Sequence, residues 1–281
     1  MARVLIAGCG DLGGGLGQGL LAMGHEVHGL KRNPATLPPG IHPVKADLND
    51  PAGFSLPDNV ELVAHILTPD RPDEAGYRAA YVTALENLIT VLGRQATPPR
   101  RLLLVSSTSV YAQGNGQWVD EDAPAEPGRF SGRLIREGED LAWASDIPAV
   151  VIRFGGIYGP TRTRLLDNLR EGRARCVPGV YSNRIHRDDA VAALVHLLTL
   201  ENPARLYLGV DNVPSLQCEV LDWLAAQLGV AGPIRVSEAS ETERAMRGNK
   251  RVSNRRLLES GFGFRYPSYR EGYGEILQKD R

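Results

Sequence analysis

The most constraining pattern in this chain runs through Val4-Leu5-Ile6-Ala7-Gly8-Cys9-Gly10-Asp11-Leu12-Gly13. It is a short apolar run, then a G-x-G-x-x-G turn, then the start of a helical pattern over Asp11 to Met23. Each glycine answers a steric need. Gly8 allows a tight turn, Gly10 lets a diphosphate approach the backbone, and Gly13 lets the helix pack closely on the strand. The helix start, at Asp11 and Leu12, offers N–H groups and a partial positive charge to a phosphate. Gly14, Gly15, Gly17 and Gly19 extend the run into the helix. Each costs up to ~1 kcal/mol relative to alanine, so the helix is expected to press closely against a neighbour.

Strand-like and helix-like segments alternate after this turn. Strands are expected at Arg3 to Ala7, Glu26 to Leu30, His42 to Ala46, Val60 to Ile66, Leu102 to Ser106 and Ala149 to Phe154. A loop, Asp47 to Pro51, follows the third. Between the later strands, a long helix is expected over Glu74 to Gln95, with Tyr77, Tyr81, Leu85, Leu88 and Leu92 at helical spacing, and another over Ser131 to Ala144. Such alternation implies βαβ units and an α/β fold: a Rossmann-type, doubly wound parallel sheet with a small C-terminal substrate-binding region. Asp188 and Asp189 read as N-caps of a helix over Ala190 to Leu200, whose Val191, Leu194, Leu197 and Leu198 read as core. A further strand is expected at Arg205 to Gly209 and a helix at Ser215 to Leu228; from Gly232 onward the sequence reads as loop-rich. The dinucleotide-binding domain is assigned to residues 1–158 and 183–212, and the substrate region to 159–182 and 213–281.

The end of the second strand bears on the choice between NAD and NADP. A carboxylate there would bind the ribose 2′-hydroxyl. The chain instead has Gly29-Leu30-Lys31-Arg32-Asn33. Two cations suit a 2′-phosphate, so Lys31 and Arg32 favour NADP, with NAD an open alternative.

Composition excludes several other classes. The 281 residues carry 32 basic and 33 acidic side chains, a net charge of −1, without the basic footprint of a nucleic-acid binder. No apolar run approaches the ~18 residues of a membrane span. The N-terminus enters a strand directly, which reads as no signal peptide and a cytoplasmic protein. Cys9, Cys176 and Cys218 are far apart without a CxxC pair, which argues against a disulfide framework or a zinc site. His25 and His28 flank a strand start and read as solvent or packing residues. Arg247 to Arg256 holds five basic residues and reads as a solvated face, or as a contact for the phosphates of a nucleotide-linked substrate. The expected partner is a small molecule, with the protein a monomer or homodimer.

Several further motifs, together with the turn, resemble the extended short-chain dehydrogenase/reductase superfamily in its epimerase/dehydratase branch. They are Asp47-Leu48-Asn49-Asp50, Ser106-Ser107-Thr108-Ser109-Val110-Tyr111, Asp120-Glu121-Asp122-Ala123-Pro124, Arg153 to Pro160, Arg184 to Asp189, and Leu257 to Phe262. The resemblance implies adenine contacts at Asp47 and Leu48. It also implies cofactor contacts at Leu67, Thr68 and Ser106, a hydrogen bond from Ser107 to the reacting oxygen, and substrate contacts at Ser109, Tyr158 and His186. The chain departs from the family's Tyr-x-x-x-Lys pair: Arg133 stands at the lysine position, and Arg129 or Phe130 at the tyrosine position. It therefore looks like an atypical subgroup lacking that pair. Arg133 could hold the nicotinamide ribose but stays protonated and cannot act as a base. Tyr111, Tyr158 or His186 could supply a proton instead. The resemblance thus implies an oxidoreductase, epimerase or dehydratase acting on a nucleotide sugar or another small hydroxyl or carbonyl compound. The alternative is an NADP(H)-binding sensor or regulatory protein without turnover.

Overall fold

A computed structural model describes residues 1–50, 54–236 and 248–279. Pro51 and Arg247 lie outside the described residues. The strands are β1 (Arg3–Ala7), β2 (Glu26–Lys31), β3 (His42–Lys45), β4 (Leu62–His65), β5 (Arg101–Ser107), β6 (Gln117–Val119), β7 (Ala149–Phe154), β8 (Gly156–Tyr158), β9 (Arg175–Cys176), β10 (Tyr181–Ser182), β11 (Arg184–His186), β12 (Leu206–Gly209), β13 (Ser215–Leu216), β14 (Ile234–Arg235) and β15 (Lys250–Val252). Seven of them form a parallel sheet in the order β12-β7-β5-β4-β1-β2-β3. Every residue of β4 is buried, as expected of a parallel strand covered on both faces. The chain lays β2 and β3 on one side of β1 and β4 on the other, so the order reverses at β1. That reversal opens a crevice at the carboxyl ends of the strands.

The chain divides into two compact units. The first comprises residues 1–110, 129–153 and 191–207; the second comprises 111–128, 154–190 and 208–281. In the first unit, helix α1 (Asp11–Ala22) shows what its glycines are for. A Cβ on Gly13 would lie 2.4 Å from the Gly8 carbonyl oxygen, and one on Gly17 would lie 2.5 Å from Ile41 Cδ1. The helix can therefore sit against β1 and the chain before β3 only without those side chains.

The long helix expected over Glu74 to Gln95 is interrupted. It runs as α2 (Glu74–Arg78), a π-helical turn (Ala79–Thr83) and α3 (Ala84–Leu92). Asp73 caps its start, accepting from Gly76 N at 2.8 Å. Helix α4 (Phe130–Ala144) packs on the π turn, where a Cβ on Gly138 would lie 2.4 Å from the Tyr81 carbonyl oxygen. After the short helix α5 (Arg164–Arg170), helix α6 (Arg187–Thr199) begins before the expected Ala190. Asp188 and Asp189 thus lie in its first turn rather than at its cap, and the Asp189 carboxylate accepts from the backbone N–H groups of Arg265 and Tyr266, both at 2.9 Å. Leu194, Leu197 and Leu198 are fully buried, and Val191 is half-buried.

The second unit corrects three expectations. Cys176 and Cys218 form a disulfide with Cα atoms 5.2 Å apart, joining β9 to the start of α7 (Gln217–Leu228). The separation of 42 positions in sequence hides a pairing that the fold creates. Among its described residues the tail after Gly232 is not mainly loop: besides β14 and β15 it holds helices at Arg255–Glu259 and Tyr269–Lys279. The latter buries Tyr269, Tyr273, Ile276 and Leu277 along one face. Arg247 to Arg256 is not a wholly solvated face either. Lys250 is 4% exposed, its ammonium donates to the Tyr111 carbonyl at 3.1 Å, and Arg256 pairs with Asp122 at 3.0 Å. His28 stacks on His42 at 5.0 Å and His25 accepts from Ala2 N. No metal-ligating cluster occurs among the described residues.

Candidate functional site

The turn after β1 takes the shape its sequence requires. Gly8 has φ +93°, and a Cβ there would lie 2.6 Å from the Ile66 carbonyl oxygen. Gly10 is the opposite case: φ is −88° and nothing lies within 4 Å of a built Cβ. Fold packing does not demand that glycine, but close approach of a ligand to the backbone would. Gly10 precedes the first turn of α1 as its N-cap and has no side chain with which to cap that end of the helix. The site thus combines an open backbone surface with the positive end of a helix dipole.

A cavity of about 710 Å³ extends from this turn. Its floor is Gly8, Cys9 and Gly10. One wall comes from the end of β2 and the turn after it: Lys31, Arg32, Asn33 and Thr36. Asp47, Leu48 and Asn49 after β3 form a second wall, and Leu67, Thr68, Asp70 and Arg71 after β4 form a third. All of these belong to the first unit. The volume lies within the range of ~300–1,000 Å³ for small-molecule and cofactor sites. Open space over the Gly10 backbone, a helix start whose N-cap residue has no side chain, and two cations on the wall fit the adenosine diphosphate part of a pyridine dinucleotide.

The two cations differ in their ties. Lys31 Nζ donates to Thr36 Oγ1 at 2.9 Å. Arg32 is held by Asp70 through two parallel bonds, Nη1 to Oδ2 at 2.6 Å and Nη2 to Oδ1 at 2.8 Å. The guanidinium beside it holds the Asp70 carboxyl below the usual carboxylate range. Cys9 is 1% exposed, and burial pushes its thiol up to about 11, so it is not a nucleophile at neutral pH.

The structure brings Gly8, Gly10, Lys31, Arg32, Asp47, Leu48, Leu67 and Thr68 around one cavity. Asp11, Leu12 and Gly13 lie in the adjoining first turn of α1. Ser106 is turned inward: it donates to Glu139 at 2.5 Å, and Glu139 is gripped by Arg153 at 2.6 and 2.8 Å, with Glu139 and Arg153 side chains 0% and 3% exposed. Ser107, next in β5, is half-buried, and its Oγ accepts from Ser109 N at 3.1 Å. Ser109 is exposed. Arg133 is exposed on the first turn of α4, and Phe130 meets Tyr77 edge-on with ring centres 5.6 Å apart.

Tyr111, Tyr158 and His186 belong to the second unit and are 2%, 4% and 2% exposed. The Tyr111 hydroxyl donates to the Asp120 carbonyl at 2.8 Å. Tyr158 stacks on Tyr273 at 4.3 Å and meets His186 edge-on, and Gly272 leaves room for its ring. Burial raises the Tyr158 hydroxyl and lowers the His186 imidazole, so burial favours the neutral form of each.

Thr36, Asp70 and Arg71 line the cavity outside every quoted motif, while Asn33 and Asn49 lie inside quoted stretches without an assigned contact. Asn33 carried a local signal, because it caps the turn Pro34–Thr36 by accepting from Ala35 N at 3.2 Å. Asp70 carried none.

Comparison with known proteins agrees with this geometry. The family model described as the NAD dependent epimerase/dehydratase family matches residues 4–208. A 3-diazoavenalumate denitrifying reductase from a Streptomyces species is 30% identical, over 97% of this chain and 99% of its own. A structure from Methylobacillus flagellatus, described as an NAD-dependent epimerase/dehydratase, superposes with a TM-score of 0.82 at 35% identity, covering 100% of this chain and 99% of that one. The human epimerase family protein SDR39U1, solved with NADPH, shares the fold at a TM-score of 0.80 and 22% identity, over 98% and 99% of the two chains. With the glycine turn, the seven-stranded parallel sheet and a match over most of its length, this chain belongs to the NAD-dependent epimerase/dehydratase family of the extended short-chain dehydrogenase/reductase superfamily.

Proposed function

We propose that the protein is an NADP(H)-dependent enzyme that reduces, epimerises or dehydrates a small hydroxyl or carbonyl substrate, nucleotide sugars being one such class. The observation that carries the cofactor choice is the wall after β2, where Lys31, Arg32, Asn33 and Thr36 line the cavity and no carboxylate follows the strand. Two cations there fit a doubly charged 2′-phosphate. The amides of Gly10, Asp11, Leu12 and Gly13 would take the diphosphate, and Asp47, Leu48, Leu67 and Thr68 would flank the adenosine.

Bound there, the nicotinamide would supply or accept a hydride. The chain's own contribution is positioning and hydrogen bonding. Ser107, at the end of β5, would hydrogen-bond the reacting oxygen, and Arg133 would hold the ribose with its guanidinium fork. Ser106 acts from behind, through Glu139 and Arg153, by fixing the end of β5. Tyr111, Tyr158 and His186 are buried and engaged, which suits packing rather than substrate contact or proton transfer. The family match and a reductase relative over 97% of the chain favour turnover over a sensor role.

The test is a fluorescence titration with NADPH and NADH, followed by reduced-cofactor absorbance across sugar nucleotides and small carbonyl compounds. NADPH is expected to bind about tenfold more tightly, and Lys31→Ala with Arg32→Ala to remove that preference. Ser107→Ala is expected to slow turnover by ~10²-fold or more. Tighter NADH binding by the parent would overturn the cofactor reading. Equal rates for parent and Ser107→Ala would remove that serine from the chemistry.

A further inference from the structure

The Arg32–Asp70 pair has a consequence beyond cofactor binding itself. Arg32 follows β2 and Asp70 lies in the chain after β4, and both line the cavity where an adenosine ribose would sit. Their side chains are 61% and 65% exposed, and the contact is a fork-to-fork pair at 2.6 and 2.8 Å. Among the described residues, the hydrogen bond of the Lys31 ammonium goes to the neutral hydroxyl of Thr36. The wall that fits a 2′-phosphate thus holds one cation that, among the described residues, is bonded to a hydroxyl and not to a carboxylate. The other is already neutralised by a carboxylate.

We infer that Asp70 is a specificity-determining residue: it competes with the 2′-phosphate for Arg32 and so restrains the preference for the phosphorylated cofactor. The inference rests on the reading of the cavity as an NADP site. Two states are available to the Arg32 fork. Paired with Asp70, it leaves the incoming phosphate to Lys31. Turned to the phosphate, it leaves Asp70 unpaired and anionic beside a second anion. Either way the ligand loses part of what two cations could give. An unphosphorylated ribose does not draw Arg32 away and is indifferent to the choice. Because the pair is exposed, it is weak enough to be displaced, which makes Asp70 a brake on binding rather than a block.

The experiment uses the full chain and two probes, 2′,5′-ADP and ADP, measured by calorimetry. For Asp70→Asn, 2′,5′-ADP is expected to bind about 5- to 20-fold more tightly and ADP to change less than about 2-fold. Asp70→Glu should keep the parent's ratio. A double-mutant cycle separates competition for Arg32 from a general loss of negative charge: in an Arg32→Ala background, Asp70→Asn should no longer matter. Unchanged or weaker binding of 2′,5′-ADP by Asp70→Asn overturns the inference, as does equal tightening of both probes or an effect that persists without Arg32. The cofactor reading fails separately, if Arg32→Ala and Lys31→Ala leave both probes bound as in the parent. If those variants weaken 2′,5′-ADP while Asp70→Asn does not strengthen it, only the role of Asp70 falls.

Discussion

Single residues in the turn after β1 separate folding from binding. A methyl group on Gly13 would lie 2.4 Å from the Gly8 carbonyl oxygen, and backbone cannot yield as a flexible side chain can. Gly13→Ala is therefore expected to cost about 1–3 kcal/mol of stability and to lose the dinucleotide as well. Gly10 has φ −88° and open space around its missing Cβ. Gly10→Ala should unfold within about 2–4 °C of the parent, a change near 1 kcal/mol for a chain of this size. It should nevertheless weaken NADPH by tenfold or more, because the methyl occupies the approach of the diphosphate. Thermal unfolding and fluorescence titration of the two variants check this. Normal NADPH affinity in Gly10→Ala would show that the ligand does not reach this backbone.

At the scale of elements, the π turn Ala79–Thr83 is the piece that joins packing to the site. Ala79 and Ala80 line the cavity, while the Tyr81 carbonyl presses on Gly138 of α4. Gly138→Ala is expected to destabilise by about 1–3 kcal/mol through overpacking and to weaken NADPH, since a displaced π turn moves part of the cavity wall. Gly274→Ala is the control: the position lies in the helix Tyr269–Lys279 with nothing within 4 Å of a built Cβ, and alanine there should stabilise by up to ~1 kcal/mol. A Gly138→Ala protein as stable as the parent would refute the packing account. The same elements show what can be read from sequence. β1, β4, β5 and β7 were legible because strands buried on both faces are written as unbroken apolar runs. The glycine turn was legible because its spacing states its geometry. The π turn was not, since Tyr77, Tyr81, Leu85, Leu88 and Leu92 keep helical spacing and no proline or glycine marks the extra residue. The helix Tyr269–Lys279 was masked by Gly272 and Gly274, although Gly272 is what leaves room for Tyr158. Asp70 and the Cys176–Cys218 bridge depend on which strand lies beside which, and no local pattern records that. Lys31 and Arg32 were visible in the sequence; the carboxylate that tempers one of them was not.

For the whole molecule, buried ionisable groups predict a stability that changes with pH in opposite directions in the two units. His65 is fully buried in β4, in register with Ala7 of β1 and Leu104 of β5, and neither ring nitrogen finds a hydrogen-bond partner among the described residues. Burial pushes its imidazole down from 6.5 to about 4. The unfolded chain therefore binds the proton first as pH falls. Stability of the first unit is complete above about pH 6.5 and is lost as pH falls through the window to 4, by roughly 3 kcal/mol in total. Asp211, in the second unit, has the opposite sign. Burial raises its carboxyl from 3.8 to about 7, so its penalty is absent below pH 3.8 and grows as pH rises to 7. His186, lowered by burial, partly opposes Asp211 on the acid side, and the penalty of Lys250, lowered to about 8, is constant below that pH and relieved only above it. Acid should therefore weaken the first unit while relieving Asp211 in the second. Urea unfolding at about pH 7 and about pH 4.5, followed by hydrogen exchange of β1, β4 and β5, is expected to show a loss of about 2 kcal/mol in those strands. His65→Leu removes the titrating ring and its two unpaired nitrogens. It should match or exceed the parent at pH 7 and keep that stability in the same strands at the lower pH. If His65→Leu loses as much stability in acid as the parent does, the buried imidazole is not the group that makes the central sheet acid-sensitive.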